Sequence, residues 1–232
     1  MPYLERDGDV HILYLGDQGQ TDSENRFHPD WIDAFHATLD EVEAVEGPAS
    51  LVFAASGKFF TNGLDTDWLF GNLDQIHAYL DKVHTIFTRV LTFPMTTVAA
   101  VGGHAFGGGT MLAASSDQRV MRADRGFWCL PEAKLNMPFT VGMNALMTLQ
   151  LPRTVAVEAM TTSRRYGGAD ALAAGIVNEI ADGDGVLPAA IARAAATTAL
   201  HGANLRKIKS DVHAPILEAF AVPTTPENLT FG

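Results

Sequence analysis

Cysteine occurs once, at Cys129, in a chain of 232 residues. No intrachain disulfide can form, so a disulfide-stapled secreted scaffold is excluded, and multi-cysteine metal sites are excluded with it. Charge is sparse at 19%, and positive charge is the scarcer sign: 16 Lys and Arg stand against 27 Asp and Glu, a net of −11. Broad binding to nucleic acid or to an anionic membrane needs basic surface, so neither partner is expected. A local basic pocket for an anionic ligand stays compatible with that balance. A long hydrophobic run is also missing. The most apolar stretch, Thr96 to Ala114, is punctuated by glycines and His104 and makes a poor membrane span. Met1-Pro2-Tyr3-Leu4-Glu5-Arg6-Asp7 has neither the basic nor the apolar region of a signal peptide. The expectation is a soluble cytoplasmic protein, and 47% hydrophobic residues suffice for the core of one domain.

Several catalytic signatures are absent as well. There is no G-x-S-x-G nucleophile elbow, no G-x-x-x-x-G-K-[ST] phosphate loop, no G-x-G-x-x-G and no H-E-x-x-H. The sequence asks for no metal and no nucleotide redox cofactor.

What is present is a run of βα units followed by helices, which points to an α/β fold with a helical C-terminal portion. Val10 to Leu15 reads as a strand, and Pro29 opens a helix to about Ala44 with Trp31, Ile32, Phe35, Leu39 and Val42 at helical spacing. Ser50 to Ala55 and Thr96 to Val101 read as strands buried on both faces. Asp74 to Leu91 reads as a helix, Gln118 to Met121 and Gly126 to Leu130 as strands. Helices broken at Pro152 and Gly167-Gly168 follow Val141. Ile176 to Ile180 is a strand candidate, and Leu187 to Leu200 and Asn204 to Phe220 are the last helices.

Two loops follow two of the buried strands in the same way: Ser56-Gly57-Lys58-Phe59-Phe60-Thr61-Asn62-Gly63-Leu64-Asp65, and Gly102-Gly103-His104-Ala105-Phe106-Gly107-Gly108-Gly109. Each ends by opening a helix, where unpaired N–H groups and the positive dipole end are exposed. Either these glycines are only tight strand-to-helix turns, or they aim two N–H groups at one point and form an oxyanion hole.

The pairing of these loops resembles the crotonase (enoyl-CoA hydratase/isomerase) family. Four blocks carry the resemblance over nearly the whole chain. They are Asn25-Arg26-Phe27 before the first helix, Ser56 to Asp65, Pro94 to Gly109, and Thr161 to Ile180. The resemblance implies a ββα spiral core over residues 1–180 that holds the CoA and acyl site. Residues 181–232 are then a helical C-terminal region, and the assembly a homotrimer or hexamer. It implies an acyl-CoA thioester as substrate, with no separate cofactor, and places the oxyanion-hole N–H groups at Leu64 and Gly108.

Hydratases of the family use two glutamates. The first position is Met111 here, and a thioether can neither take nor give a proton. The second falls in Leu130-Pro131-Glu132, so Glu132 stands where the resemblance puts a catalytic carboxylate; the bland alternative is a surface Glu paired with Lys134 or Arg125. One carboxylate with an oxyanion hole suits a proton shift, and the branch of the family that keeps only this glutamate, which the chain then resembles, is that of the Δ3,Δ2-enoyl-CoA isomerases. The alternatives are a hydratase, another acyl-CoA lyase or decarboxylase on this fold, or an acyl-CoA binder without chemistry.

Smaller signals complete the expected site. Phe60, Thr61, Asn62, Met111, Asn136 and Phe139 are candidate substrate contacts, with the Phe60 to Asn62 carbonyls facing the adenine by family analogy. Phe139 and Met143 are the favoured acyl-pocket residues, although core packing is the commoner role for such side chains. Lys58, Arg206, Lys207 and Lys209 are candidates for the CoA phosphates, or else belong to a solvated helix face.

Overall fold

Strand pairing follows the apolar pattern. In the computed structural model, described here over Met1–Leu229, a six-stranded sheet runs in the order β1 (Tyr3–Asp7), β2 (Val10–Tyr14), β3 (Ser50–Ala54), β5 (Thr97–Val101), β7 (Gln118–Arg122), β9 (Glu179–Ala181). Only β1 and β2 are antiparallel. A second, three-stranded parallel sheet is built from β4 (Phe59–Thr61), β6 (His104–Phe106) and β8 (Trp128–Cys129).

The central strands are buried on both faces, and alternation sorts their side chains. Leu51, Phe53, Ala99 and Val101 join the main core. Val52, Ala54, Val98 and Ala100 face a second cluster closed by Val186, Ala190 and Ala194 of helix α8 (Val186–Ala195). The main core takes the apolar stripes of α1 (Pro29–Glu43) and α3 (Ile76–Leu91).

Three turns of the chain repeat one pattern. A strand of the large sheet is followed by a strand of the small sheet and then by a helix: β3-β4-α2 (Thr66–Gly71), β5-β6-α4 (Gly108–Ser115), and β7-β8-α5 (Val141–Gln150). This is the expected ββα spiral. The small sheet was hidden in the sequence because β4 and β6 are three-residue strands inside the two glycine-containing loops, which read as loop alone. The Gly126 to Leu130 candidate pairs only at Trp128–Cys129, and β9 begins at Glu179 rather than Ile176.

Helices α6 (Arg153–Thr162) and α7 (Gly168–Ala173) break where expected. The helix predicted over Asn204 to Phe220 is two, α9 (Ala203–Val212) and α10 (Ala214–Phe220), joined at His213. Pro215 lacks the N–H that a continuous helix would use there, and its ring would crowd the preceding turn. Past α10 the chain returns to α3, where Thr224 N donates to Asp81 Oδ1 at 2.9 Å.

Candidate active site

The carboxyl ends of β4, β6 and β8 lie side by side, and the residues that follow them converge. Leu64 follows β4, Gly108 follows β6 and Glu132 follows β8. With Leu80, Met111, Met137, Pro138, Thr140 and Met143 they line one cavity of about 20 Å³.

The loops are drawn together by backbone that tolerates no side chain at the contact. Gly63 has φ +77°, and a Cβ there would stand 2.6 Å from Gly108 N and 2.7 Å from the Phe106 carbonyl oxygen. The Gly63 turn is pinned by Thr61, whose Oγ1 accepts from Gly63 N at 3.0 Å and donates to the Asn25 carbonyl at 2.7 Å. Tyr79 of α3 holds the other flank, donating to Phe27 O at 2.9 Å and accepting from Asp65 N at 2.9 Å. Asp65 caps α2 by accepting from Trp68 N. Among the described residues, neither the Leu64 N–H nor the Gly108 N–H donates to a protein acceptor. The Gly108 N–H is at the first position of α4, where no intrahelical partner exists.

Glu132 stands across from them. Its backbone is fixed by bonds from Leu135 N and Met137 N to its carbonyl, at 3.1 and 3.0 Å. Among the described residues Oε2 is buried with no hydrogen-bond partner, and Oε1 lies against Gly107. No ion pair forms with Lys134 or Arg125 among the described residues, so the surface-pair alternative is not realised. Burial pushes the carboxyl up to about 7, opposed only by a bond from its own backbone. Among the described residues it is the only carboxylate or imidazole lining the cavity. Met111, on α4, is buried against it and supplies no proton chemistry.

The neighbouring space is larger. A chamber of about 490 Å³ adjoins this cavity through Met137, which lines both. Eight of its ten lining residues are apolar, among them Leu69, Leu73 and Ile76, with Pro226 and Leu229 of the C-terminal segment as one wall. Asn136 lines this chamber and not the smaller cavity.

Other expected contacts fall elsewhere. The Phe60 ring is in the core, and its carbonyl accepts from Asn25 Nδ2 at 3.0 Å. Thr61 shapes the Gly63 turn as described. Asn62 is tied to Glu24 through its N–H at 2.9 Å and its Nδ2 at 3.0 Å. Phe139 packs against the core and lines neither space. The predicted basic cluster on α9 is dispersed. Lys209 is buried and bonds Asp117 Oδ2 at 2.8 Å, so it is withdrawn from phosphate binding. Arg206 pairs with Glu43 and Lys207 with Asp211. Asp117 lies beyond the far end of α4, which is about 12 Å long at 1.5 Å per residue, so α9 docks away from Gly108. Lys58 is exposed beside Phe59, without an ion pair among the described residues.

Sequence reasoning missed Asn25 as the bracket for β4, Tyr79 as the clamp on the Leu64 loop, and Thr140. Thr140 accepts from Met143 N at 3.2 Å, capping α5, and meets His84 Nε2 at 2.8 Å. A threonine before an apolar helical run is the signal that pointed to it.

The chain is similar to known proteins in sequence and in fold. A family model described as enoyl-CoA hydratase/isomerase matches residues 20–224. Enoyl-CoA delta isomerase 3 of Arabidopsis thaliana is 31% identical over 196 residues, 81% of each chain. A Mycobacterium tuberculosis crystal structure described as a probable enoyl-CoA hydratase superposes with a TM-score of 0.85 at 25% identity, covering 95% of this chain and 91% of that one. Human mitochondrial delta3-delta2-enoyl-CoA isomerase shares the fold, with a TM-score of 0.86 at 18% identity over 95% of this chain and 86% of its own. With its ββα spiral and with a match over most of its length, the chain belongs to the enoyl-CoA hydratase/isomerase family.

Proposed function

We propose that the protein is a Δ3,Δ2-enoyl-CoA isomerase. The observation that carries this reading is that, among the described residues, Glu132 is the only carboxylate or imidazole of the cavity it shares with Leu64, Gly108 and Met111. The thioester oxygen accepts from the Leu64 and Gly108 N–H groups, which form the oxyanion hole. Glu132, ionised, takes a proton from C2 of the 3-enoyl thioester. The electrons of the broken C–H bond spread into a dienolate whose charge rests on that oxygen. The same carboxyl then gives the proton to C4, and the double bond ends between C2 and C3. No water and no cofactor is consumed, and base and acid are one side chain. A carboxyl raised to about 7 is well matched to both roles. The acyl tail runs past Met137 into the 490 Å³ chamber, whose size suits an organic ligand. A homotrimer or hexamer in the cytoplasm belongs to the same proposal.

The test is to supply a 3-enoyl-CoA and follow the conjugated 2-enoyl-CoA by ultraviolet absorbance, with a parallel sample given 2-enoyl-CoA alone. Conjugation gained in the first and kept in the second is the expected result. Conjugation lost in the second means hydration, with a group other than residue 111 activating water. Silence in both removes the isomerase reading.

A further inference from the structure

The cavity beside Glu132 is walled by side chains that cannot carry a proton, with one exception. Leu64, Leu80, Met111, Met137, Pro138 and Met143 are inert in that respect. Among the described residues, the Thr140 hydroxyl is the only polar side chain on that wall besides Glu132. At about 20 Å³ the cavity has the size of one water molecule, so its two polar side chains border one small space.

Thr140 has a structural duty, since its Oγ1 accepts from Met143 N and caps α5. A cap needs no histidine. Behind Thr140 lies His84 of α3, 4% exposed, with Nε2 at 2.8 Å from Thr140 Oγ1. Burial pushes the imidazole down to about 4, so it is neutral and one ring nitrogen is bare. Its Nδ1 has no hydrogen-bond partner among the described residues and stands 3.6 Å from Asp81 Oδ1, one turn earlier on the same helix. The Asp81 carboxylate favours a proton on Nδ1, and the bare Nε2 then accepts from the Thr140 O–H. The Asp81 side chain is 41% exposed and reaches solvent. Burying an imidazole with an orphaned nitrogen costs stability. The packing of the His84 ring on Phe220 does not need that nitrogen, since a phenyl ring would serve there.

Glu132 needs a path of this kind. In the reading proposed above, its carboxyl starts each turnover ionised, yet it is buried. No other side chain of its cavity can take the proton away. The role in turnover rests on that reading, whereas the path itself rests on the geometry.

We infer that Thr140, His84 and Asp81 form a proton relay that connects the Glu132 carboxyl to solvent. On the outward stroke the Glu132 proton passes to Thr140 Oγ1, directly or through one water. The Thr140 proton passes to His84 Nε2, and the Nδ1 proton passes to Asp81 and on to water. The return stroke moves a solvent proton from Asp81 to Nδ1, the Nε2 proton to Thr140 and the Thr140 proton to Glu132. The two strokes restore the starting tautomer and exchange one proton on Glu132 for one from solvent. All three residues act through Glu132, as positioning residues for its proton.

Infrared spectroscopy on transfer into D2O tests the relay without substrate. At about pH 6, below the value of about 7 to which burial raises it, Glu132 carries its proton, and its C=O stretch is the band lost in Glu132→Gln. The isotope shift of that band should be slowed on the order of tenfold or more by Thr140→Val and by Asp81→Asn, since neither valine nor an amide passes the proton on. Thr140→Ser keeps the hydroxyl and should restore the parent rate. Asn at position 81 still accepts from Thr224 N, and a thermal melt checks that each variant folds. With a 3-enoyl-CoA in D2O, the deuterium content at C4 of the product should fall by a similar factor in Thr140→Val. A band shift left unslowed in either Thr140→Val or Asp81→Asn overturns the relay even where isomerisation is intact. Slowing in both, rescued by serine but without isomerisation of the 3-enoyl-CoA, keeps the relay and removes the isomerase. Slowing by Thr140→Val that Thr140→Ser does not rescue makes the effect one of packing and also overturns the inference.

Discussion

Two buried ionisable groups mark the two ends of helix α4, and they are treated in opposite ways. Beyond its C-terminal end, Lys209 is 5% exposed, and its ammonium meets Asp117 at 2.8 Å and the Met95 carbonyl at 3.3 Å. Asp117 Oδ2 in turn accepts from Thr97 N and Oγ1 at 2.8 and 3.0 Å. Burial pulls the ammonium down and the neighbouring carboxylate pulls it back up. Every charge there has partners. Near the N-terminal end, Glu132 has a buried oxygen with none among the described residues. The first arrangement holds α9 to the start of β5. The second leaves a carboxyl in need of a proton, or of a substrate that supplies one. Partners make a buried charge structural, and their absence makes it reactive.

The contrast can be broken at either end. Glu132→Gln keeps the shape and removes the base, so kcat for 3-enoyl-CoA should fall on the order of 10²–10⁴-fold, with the circular dichroism spectrum unchanged. Lys209→Met takes the cation from Asp117, whose carboxylate is 24% exposed. Denaturant unfolding should show a loss of roughly 1.5–3 kcal/mol, the scale of a hydrogen bond between charged groups. If Lys209→Met instead abolished turnover in fully folded protein, the division of roles would be wrong.

The pH dependence of stability sharpens the comparison. Glu132 titrates near 4.5 when unfolded and near 7 when folded. Its contribution is therefore fully present below pH 4.5 and is lost as pH rises through 7. Removing the group should raise stability at pH 8, by on the order of 3 kcal/mol, and change little at pH 4. Melting of Glu132→Gln against the parent at both pH values measures this. Buried His84 slopes the other way. Its folded value is near 4 against 6.5 unfolded, so it costs stability as pH falls from 6.5 toward 4. The smallest expected effect is on the activity profile of Met111→Glu. A second carboxyl at the cavity opposes ionisation of Glu132, so the rising limb of kcat/KM, near pH 7 in the parent, should move upward. A limb that stays in place would mean the two side chains do not share the cavity.

The parts readable from sequence were those where one residue type does one job. Continuous apolar runs gave the buried strands, Pro29 and Pro152 gave helix boundaries, and Leu130-Pro131-Glu132 with the glycine loops gave the cavity. The strands β4 and β6 were not readable, because three residues are too few to show a period, and β1 pairs through exposed polar residues. The α9 cations misled for a related reason. Spacing places Arg206, Lys207 and Lys209 close together, yet only tertiary contact reveals that Glu43, Asp211 and Asp117 have each claimed one. Phe60 and Phe139 failed in the same way, since an aromatic side chain beside a site looks alike in sequence whether it faces the ligand or the core.

The two amides that polarise the substrate in this reading belong to the main chain. At position 64 any residue except proline supplies the same N–H, and Leu64 contributes nothing through its side chain that this task requires. The proton-handling half of the site is the reverse, resting on a single side chain opposite an inert Met111. The catalytic apparatus is thus stored in two forms, one in the path of the backbone and one in the alphabet of side chains. Single substitutions can rewrite the second freely. The first changes only if the loops themselves are rerouted.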